Sequence, residues 1–211
     1  MKNNIRIIQL IAVLALTPVY LAINQKVPTL SAYQNIMLLC TLGAFGMMIA
    51  QFWLTRSKRI GLSEVPTVII IRYHRFIGII AGGFLLLHPL LIVARRFWVV
   101  ESDPISNLRL LIHSPALRPA VAAWIVLAFL VLLSSSRIHR KVRFQNWRQM
   151  HGMLSVAFII LASWHIISVG RHSNMAMSVF WIVLCVSSTA PLIISWLPKL
   201  YIKHRVKSIN S

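Results

Sequence analysis

Negative charge is almost missing from this chain. Its 211 residues carry 22 Lys+Arg but only 3 Asp+Glu, a formal charge of +19. Charged residues of either sign make up 12%, about half of what an ordinary soluble domain carries. Two cysteines, Cys40 and Cys185, both inside apolar stretches, are too few for a secreted disulfide scaffold. No segment alternates with period two, which removes a transmembrane barrel. No linker, low-complexity tract or fixed-period repeat divides the chain. What the chain does have is apolar surface: 58% of it is hydrophobic, too much for disorder. The positive charge sits between long greasy runs rather than around a modest core, so a nucleic-acid partner is not expected.

Six runs are long enough to cross a hydrocarbon core, which takes about 20 helical residues. They are roughly Ile5–Ile23, Ala32–Leu54, Thr67–Val93, Pro119–Ser135, Trp147–Val169 and Met175–Leu197. The expected fold is therefore all-α, a six-helix transmembrane bundle, with residues 1–211 forming one domain. The first run follows Lys2 and Arg6 like a signal peptide, but it exceeds the usual 7–15-residue apolar region and no A-x-A site follows. It reads as an uncleaved span. With the N-terminus inside, 16 of the 22 basic residues fall on inner segments and 6 on outer ones. The positive-inside rule then puts both termini in the cytoplasm, and the compartment expected is a bacterial inner (plasma) membrane. The spans leave no room for a soluble nucleotide-binding domain of about 100 residues.

Ionisable residues inside spans are expensive and face the bundle interior or a functional path. The third span carries His74 and His88, and the fifth carries His151 and His165, each pair 14 residues apart. That spacing is close to four turns, so both members of a pair share a face at levels about 21 Å apart. Both spans run from inside to outside, which matches His74 with His151 near the inner surface and His88 with His165 near the outer one. Each pair can hold one metal centre, because a neutral imidazole is a good iron ligand.

Between the histidines the third span shows Gly78, Ala81 and Leu85, with Gly82 beside them, and the fifth shows Ser155, Phe158 and Ala162. Small residues let a wide flat ligand approach the backbone, which suits haem better than a compact zinc site needing further protein ligands. The absence of C-x-x-C-H excludes covalent c-type attachment. Non-covalent b-type haem remains. A buried histidine that merely bridges helices by hydrogen bonding is the plainer reading of any one of the four, and close helix packing is the plainer reading of the glycines.

With these residues in view, the chain resembles the ferric reductase-like transmembrane superfamily. That group includes NADPH oxidases, ferric reductases and the haem-binding membrane subunit of periplasmic methionine sulfoxide reductase. The resemblance lies in Tyr73-His74-Arg75-Phe76-Ile77-Gly78 through Leu87-His88-Pro89-Leu90, and in Trp147-Arg148-Gln149-Met150-His151 through Trp164-His165, and covers about residues 40–195. It implies two stacked b-type haems, each ligated by one histidine from each helix. It also implies that electrons enter from a cytoplasmic flavin (FAD or FMN) and leave at the outer face. A fused flavin domain is common in such relatives. Here the reductase is expected to be a separate flavin/NAD(P)H protein. Ferric iron, oxygen or a periplasmic redox protein is the expected acceptor, and all four histidines favour a two-haem relative.

Several further residues have two readings. Phe158, midway between His151 and His165, either fills the gap between haems or packs the core. Arg72 and Arg75 flank the inner level, and Arg95 and Arg96 follow the outer one. They suit haem propionates, or set topology and touch lipid headgroups. The inner segment with Arg137, Arg140, Lys141, Arg143 and Arg148 attracts anionic membrane lipids or docks an acidic flavoprotein. His172, seven residues beyond His165, either assists the acceptor or is incidental. Most tryptophans, Trp124, Trp147 and Trp181 among them, fall near span ends as an aromatic belt. The competing function is a multipass transporter whose membrane histidines relay protons or bind substrate. It fits less well, since a proton relay needs closer spacing.

Overall fold

A backbone in hydrocarbon can hydrogen-bond only to itself, so apolar runs of this length become helices. The computed structural model shows six of them, with residues 2–25, 31–56, 65–99, 109, 113–135 and 143–209 described, excepting the side chains of 2–4, 95–99 and 197–209. They are α1 (Lys2–Ile23), α2 (Ala32–Leu54), α3 (Thr67–Val99), α4 (Arg118–Leu133), α5 (Phe144–Val169) and α6 (Met175–Ile209). All six are long and apolar enough to cross a membrane, the fourth when taken from Pro115 to Leu133, and no strand occurs among the described residues.

Local chemistry sets the ends. Ser31 and Gln34 form a reciprocal capping box at the start of α2, satisfying donors that the first turn leaves open. Asn174 accepts from the Met177 backbone N–H at 2.9 Å and starts α6. A 3-10 turn at Pro115–Leu117 leads into α4, where proline's fixed φ suits a first turn. The helices outrun the apolar stretches at several ends, α1 by starting at Lys2 rather than Ile5. The α3 and α6 backbones continue past residues 93 and 197, and α5 begins at Phe144, three residues before Trp147. Hydropathy marks where lipid stops, whereas a helix continues into polar surroundings until something caps it.

Along α1 and α2 the packing is close. A Cβ at Gly46 would run into the backbone carbonyl of Leu14, so only glycine permits this crossing. From there α2 packs on α3, α3 on α4, α4 on α5 and α5 on α6, while α6 returns to α2 and α1. The core between them holds Phe45, Ile49, Leu127, Ile159 and Trp181, all essentially inaccessible. Outward faces are apolar too: Val13 and Leu16 on α1, Ile79 and Leu87 on α3, and Val183 and Ile194 on α6 are exposed. A soluble protein does not expose such continuous apolar surface, and a lipid-facing bundle must.

Trp181 departs from the belt reading. It is fully buried and packs on Phe45 and Phe180 with ring centroids 5.0 and 5.1 Å away. The neighbouring helix α2 covers it, something no single span reveals.

Candidate functional site

The four membrane histidines come from α3 and α5, which do not pack closely on one another: α3 leans on α2 and α4, and α5 on α4 and α6. The histidines nevertheless face each other across this division. His74 and His151 have ring centroids 6.3 Å apart, with planes inclined by 61°. His88 and His165 lie fourteen residues further along the same two helices, at a second level. The structure thus brings together His74 and His151, the first of the two pairs that the spacing predicts.

Each level has its own supports. The His151 ring lies on the Trp147 indole one turn earlier, centroids 5.1 Å apart and planes within 24°. The Trp147 N–H donates to the Leu133 carbonyl at the end of α4, 2.9 Å away. Ser134, just past α4, puts its Oγ 3.4 Å from His151 Nδ1. At the other level Thr41 of α2 places Oγ1 3.0 Å from His88 Nδ1. The Nδ1 atoms of His74 and His165 are buried with no hydrogen-bond partner among the described residues. The sequence reading gives no site role to Thr41, Ser134 or Trp147. Trp147 was legible, because residues four apart stack on a helix. The two hydroxyls were not, because they belong to helices that carry no histidine.

The donor set suits a haem. A metal held in line between two imidazole nitrogens at about 2 Å each puts the ring centroids roughly 6 Å apart, as in the His74–His151 pair. A structural zinc takes four protein ligands, and no group of three or more His, Cys, Asp or Glu comes together among the described residues. A tetrapyrrole supplies its own in-plane nitrogens and asks the protein for axial ligands only. The facing imidazoles of His74 and His151, on helices that stand apart, are of a kind that would serve.

Other residues fall as follows. Phe158 is buried and meets Phe45 edge-on, centroids 6.1 Å apart, within the aromatic cluster that includes Trp181. Arg72 lies with Ile69, Tyr73 and Phe76 along one groove of α3, roughly 160° around the helix from His74. Arg75 is exposed, roughly a quarter turn from His74. Arg95 and Arg96 are in the last turns of α3, with side chains outside the described residues, as are Arg137, Arg140 and Lys141. Of the small residues, a Cβ at Gly78 would lie 3.6 Å from the Gln51 side chain of α2 and one at Gly82 3.9 Å from Val131 of α4, and Ala81 is fully buried. Part of that stripe therefore serves helix packing. His172, between α5 and α6, accepts a hydrogen bond at its carbonyl from Gln25 Nε2 at 3.0 Å. Burial first, and the Arg171 charge second, hold its imidazole below the usual histidine range.

Comparison with known proteins gives two matches. The family described as "Ferric reductase like transmembrane component" matches residues 40–162, which include all four histidines except His165. An uncharacterized protein of Archaeoglobus fulgidus is 34% identical over 146 residues, 68% of this chain and 80% of that protein. No solved structure matches.

Proposed function

From the premise that this chain belongs to the ferric reductase-like transmembrane family, we propose that it is a di-haem b electron-transfer component. As a family member it is an oxidoreductase-type multipass membrane protein of a generally haem-binding group. On our reading electrons pass from a cytoplasmic flavin/NAD(P)H reductase, through the membrane, to ferric iron, oxygen or a periplasmic redox protein. The observation that carries this is the His74–His151 pair, ring centroids 6.3 Å apart on helices otherwise kept apart, with His88 and His165 each fourteen residues further along the same two helices.

A haem bound by such histidines would supply one-electron transfer without direct substrate binding. The chain's own residues do the rest. His74 and His151 would hold the haem at one level, and His88 and His165 the haem at the other. Trp147 and Ser134 keep the His151 ring from turning. Ala81, Leu85, Phe158 and Ala162 separate the levels with apolar side chains, which exclude water and keep protons from following the charge. Arg75, roughly a quarter turn from His74, is the described arginine that best suits a propionate. The positive-inside bias supports cytoplasmic termini in an inner (plasma) membrane. The basic segment from Arg137 to Arg148 suits an acidic flavoprotein or anionic lipid headgroups.

The test is a dithionite-reduced minus oxidised absorption spectrum of the purified protein, with haem quantified per chain. We expect b-type bands and two haems. Iron-replete, folded protein with no haem bands would overturn the reading. His88→Ala is expected to remove one haem and leave the other, separating two independent levels from one shared site.

A further inference from the structure

A hydroxyl has one hydrogen to give, and at both histidine levels it is already given. Thr41 Oγ1 donates to the Met37 carbonyl at 2.6 Å, so its 3.0 Å contact with His88 Nδ1 can be made only by accepting. Ser134 Oγ likewise donates to the Leu130 carbonyl at 2.8 Å, so toward His151 Nδ1 at 3.4 Å it too can only accept. An imidazole that donates from Nδ1 is fixed as the Nδ1–H tautomer, with its lone pair on Nε2. Each level has one such histidine, and the supports come from opposite sides: α2 holds the α3 histidine at one level, and the end of α4 holds the α5 histidine at the other.

We propose that Thr41 and Ser134 are positioning residues that preset the tautomer and ring orientation of one axial histidine at each level, Thr41 for His88 and Ser134 for His151. This rests on the haem reading above. An accepted Nδ1–H makes the imidazole a more basic ligand, which favours the ferric over the ferrous ion and lowers the midpoint potential. At 3.0 Å the Thr41 bond is well formed, and at 3.4 Å the Ser134 bond is long and weak. Thr41 therefore exerts the larger effect.

Spectroscopic redox titration of the purified, haem-loaded protein tests this, with the His88–His165 haem identified as the one missing from His88→Ala. Thr41→Val keeps the shape of threonine but cannot accept. It is expected to raise that haem's midpoint, the ferric-to-ferrous ratio at the original midpoint falling several-fold, while the other haem is unmoved. Thr41→Ser should restore the original value, which a purely structural role does not require. Ser134→Ala should shift the other haem in the same direction by less. Unchanged midpoints in Thr41→Val carrying two haems would overturn the proposal while leaving the proposed function intact. Wild-type protein without haem removes both. Should Thr41→Val not fold, Thr41→Cys, whose sulfur is a weak acceptor, takes its place with the same expected shift, and an unmoved midpoint there overturns the proposal equally.

Discussion

A charged or strongly polar side chain inside a membrane needs a reason to be there, and the arginines of α3 show that position decides which reason applies. Arg72 and His74 are two residues apart in sequence but nearly opposite on the helix, with Arg72 set among Ile69, Tyr73 and Phe76. Arg72→Gln is therefore expected to leave haem content and both midpoints unchanged, whereas Arg75→Gln shifts the midpoint of the His74–His151 haem. Potentiometry on the two variants checks this, and a shift from Arg72→Gln alone reverses the assignment. Phe158 illustrates the second kind of decision. It is buried against Phe45, so Phe158→Ala opens a cavity. In soluble cores that change costs about 3–5 kcal/mol. Here the low end or less is expected, because lipid is as apolar as the core and only packing is lost. Thermal unfolding in detergent, read with the haem spectrum, separates this packing loss from any effect on electron transfer.

Between elements, a few close approaches and hydrogen bonds hold the bundle, since helices in lipid gain little from hydrophobicity alone. Gly46 lets α2 meet the Leu14 backbone of α1, while a Cβ at Gly83 has nothing within 4 Å. Gly46→Val should lower the melting temperature sharply. Gly83→Ala should be neutral or raise it slightly, since alanine exceeds glycine by about 0.5–1 kcal/mol inside a helix. Equal melting temperatures for the two variants would contradict the packing described. Pro89 follows His88 and cannot donate to its own helix. In this stretch α3 is tied to its neighbours instead: Trp124 of α4 donates to the Leu86 carbonyl at 2.9 Å, Tyr33 of α2 to the Leu91 carbonyl at 3.3 Å, and Thr41 meets His88. A local weakness in α3 thus coincides with firm cross-helix support for its second histidine.

For the whole molecule, the proposed direction of electron flow rests on the orientation that the positive-inside rule gives. A reporter fused after Ser211 is expected to behave as cytoplasmic: a fluorescent protein glows and alkaline phosphatase stays inactive. The opposite pattern would reverse the direction assigned here.

Sequence by itself determined the number of spans, their approximate limits and the matched spacing of His74, His88, His151 and His165. Each of these follows from chain-local physics: the length a helix needs to cross hydrocarbon, and the 3.6-residue turn that stacks side chains on one face. Tertiary structure alone decided what lies across from each face. It placed His74 against His151, buried Trp181 under α2, turned Gly78 toward Gln51, and brought Thr41 of α2 and Ser134 at the end of α4 to the imidazole rings. The reason is that helix periodicity fixes angles within a helix, whereas the rotation and depth of one helix against another come from packing and hydrogen bonds between distant segments, which leave no periodic trace in the chain.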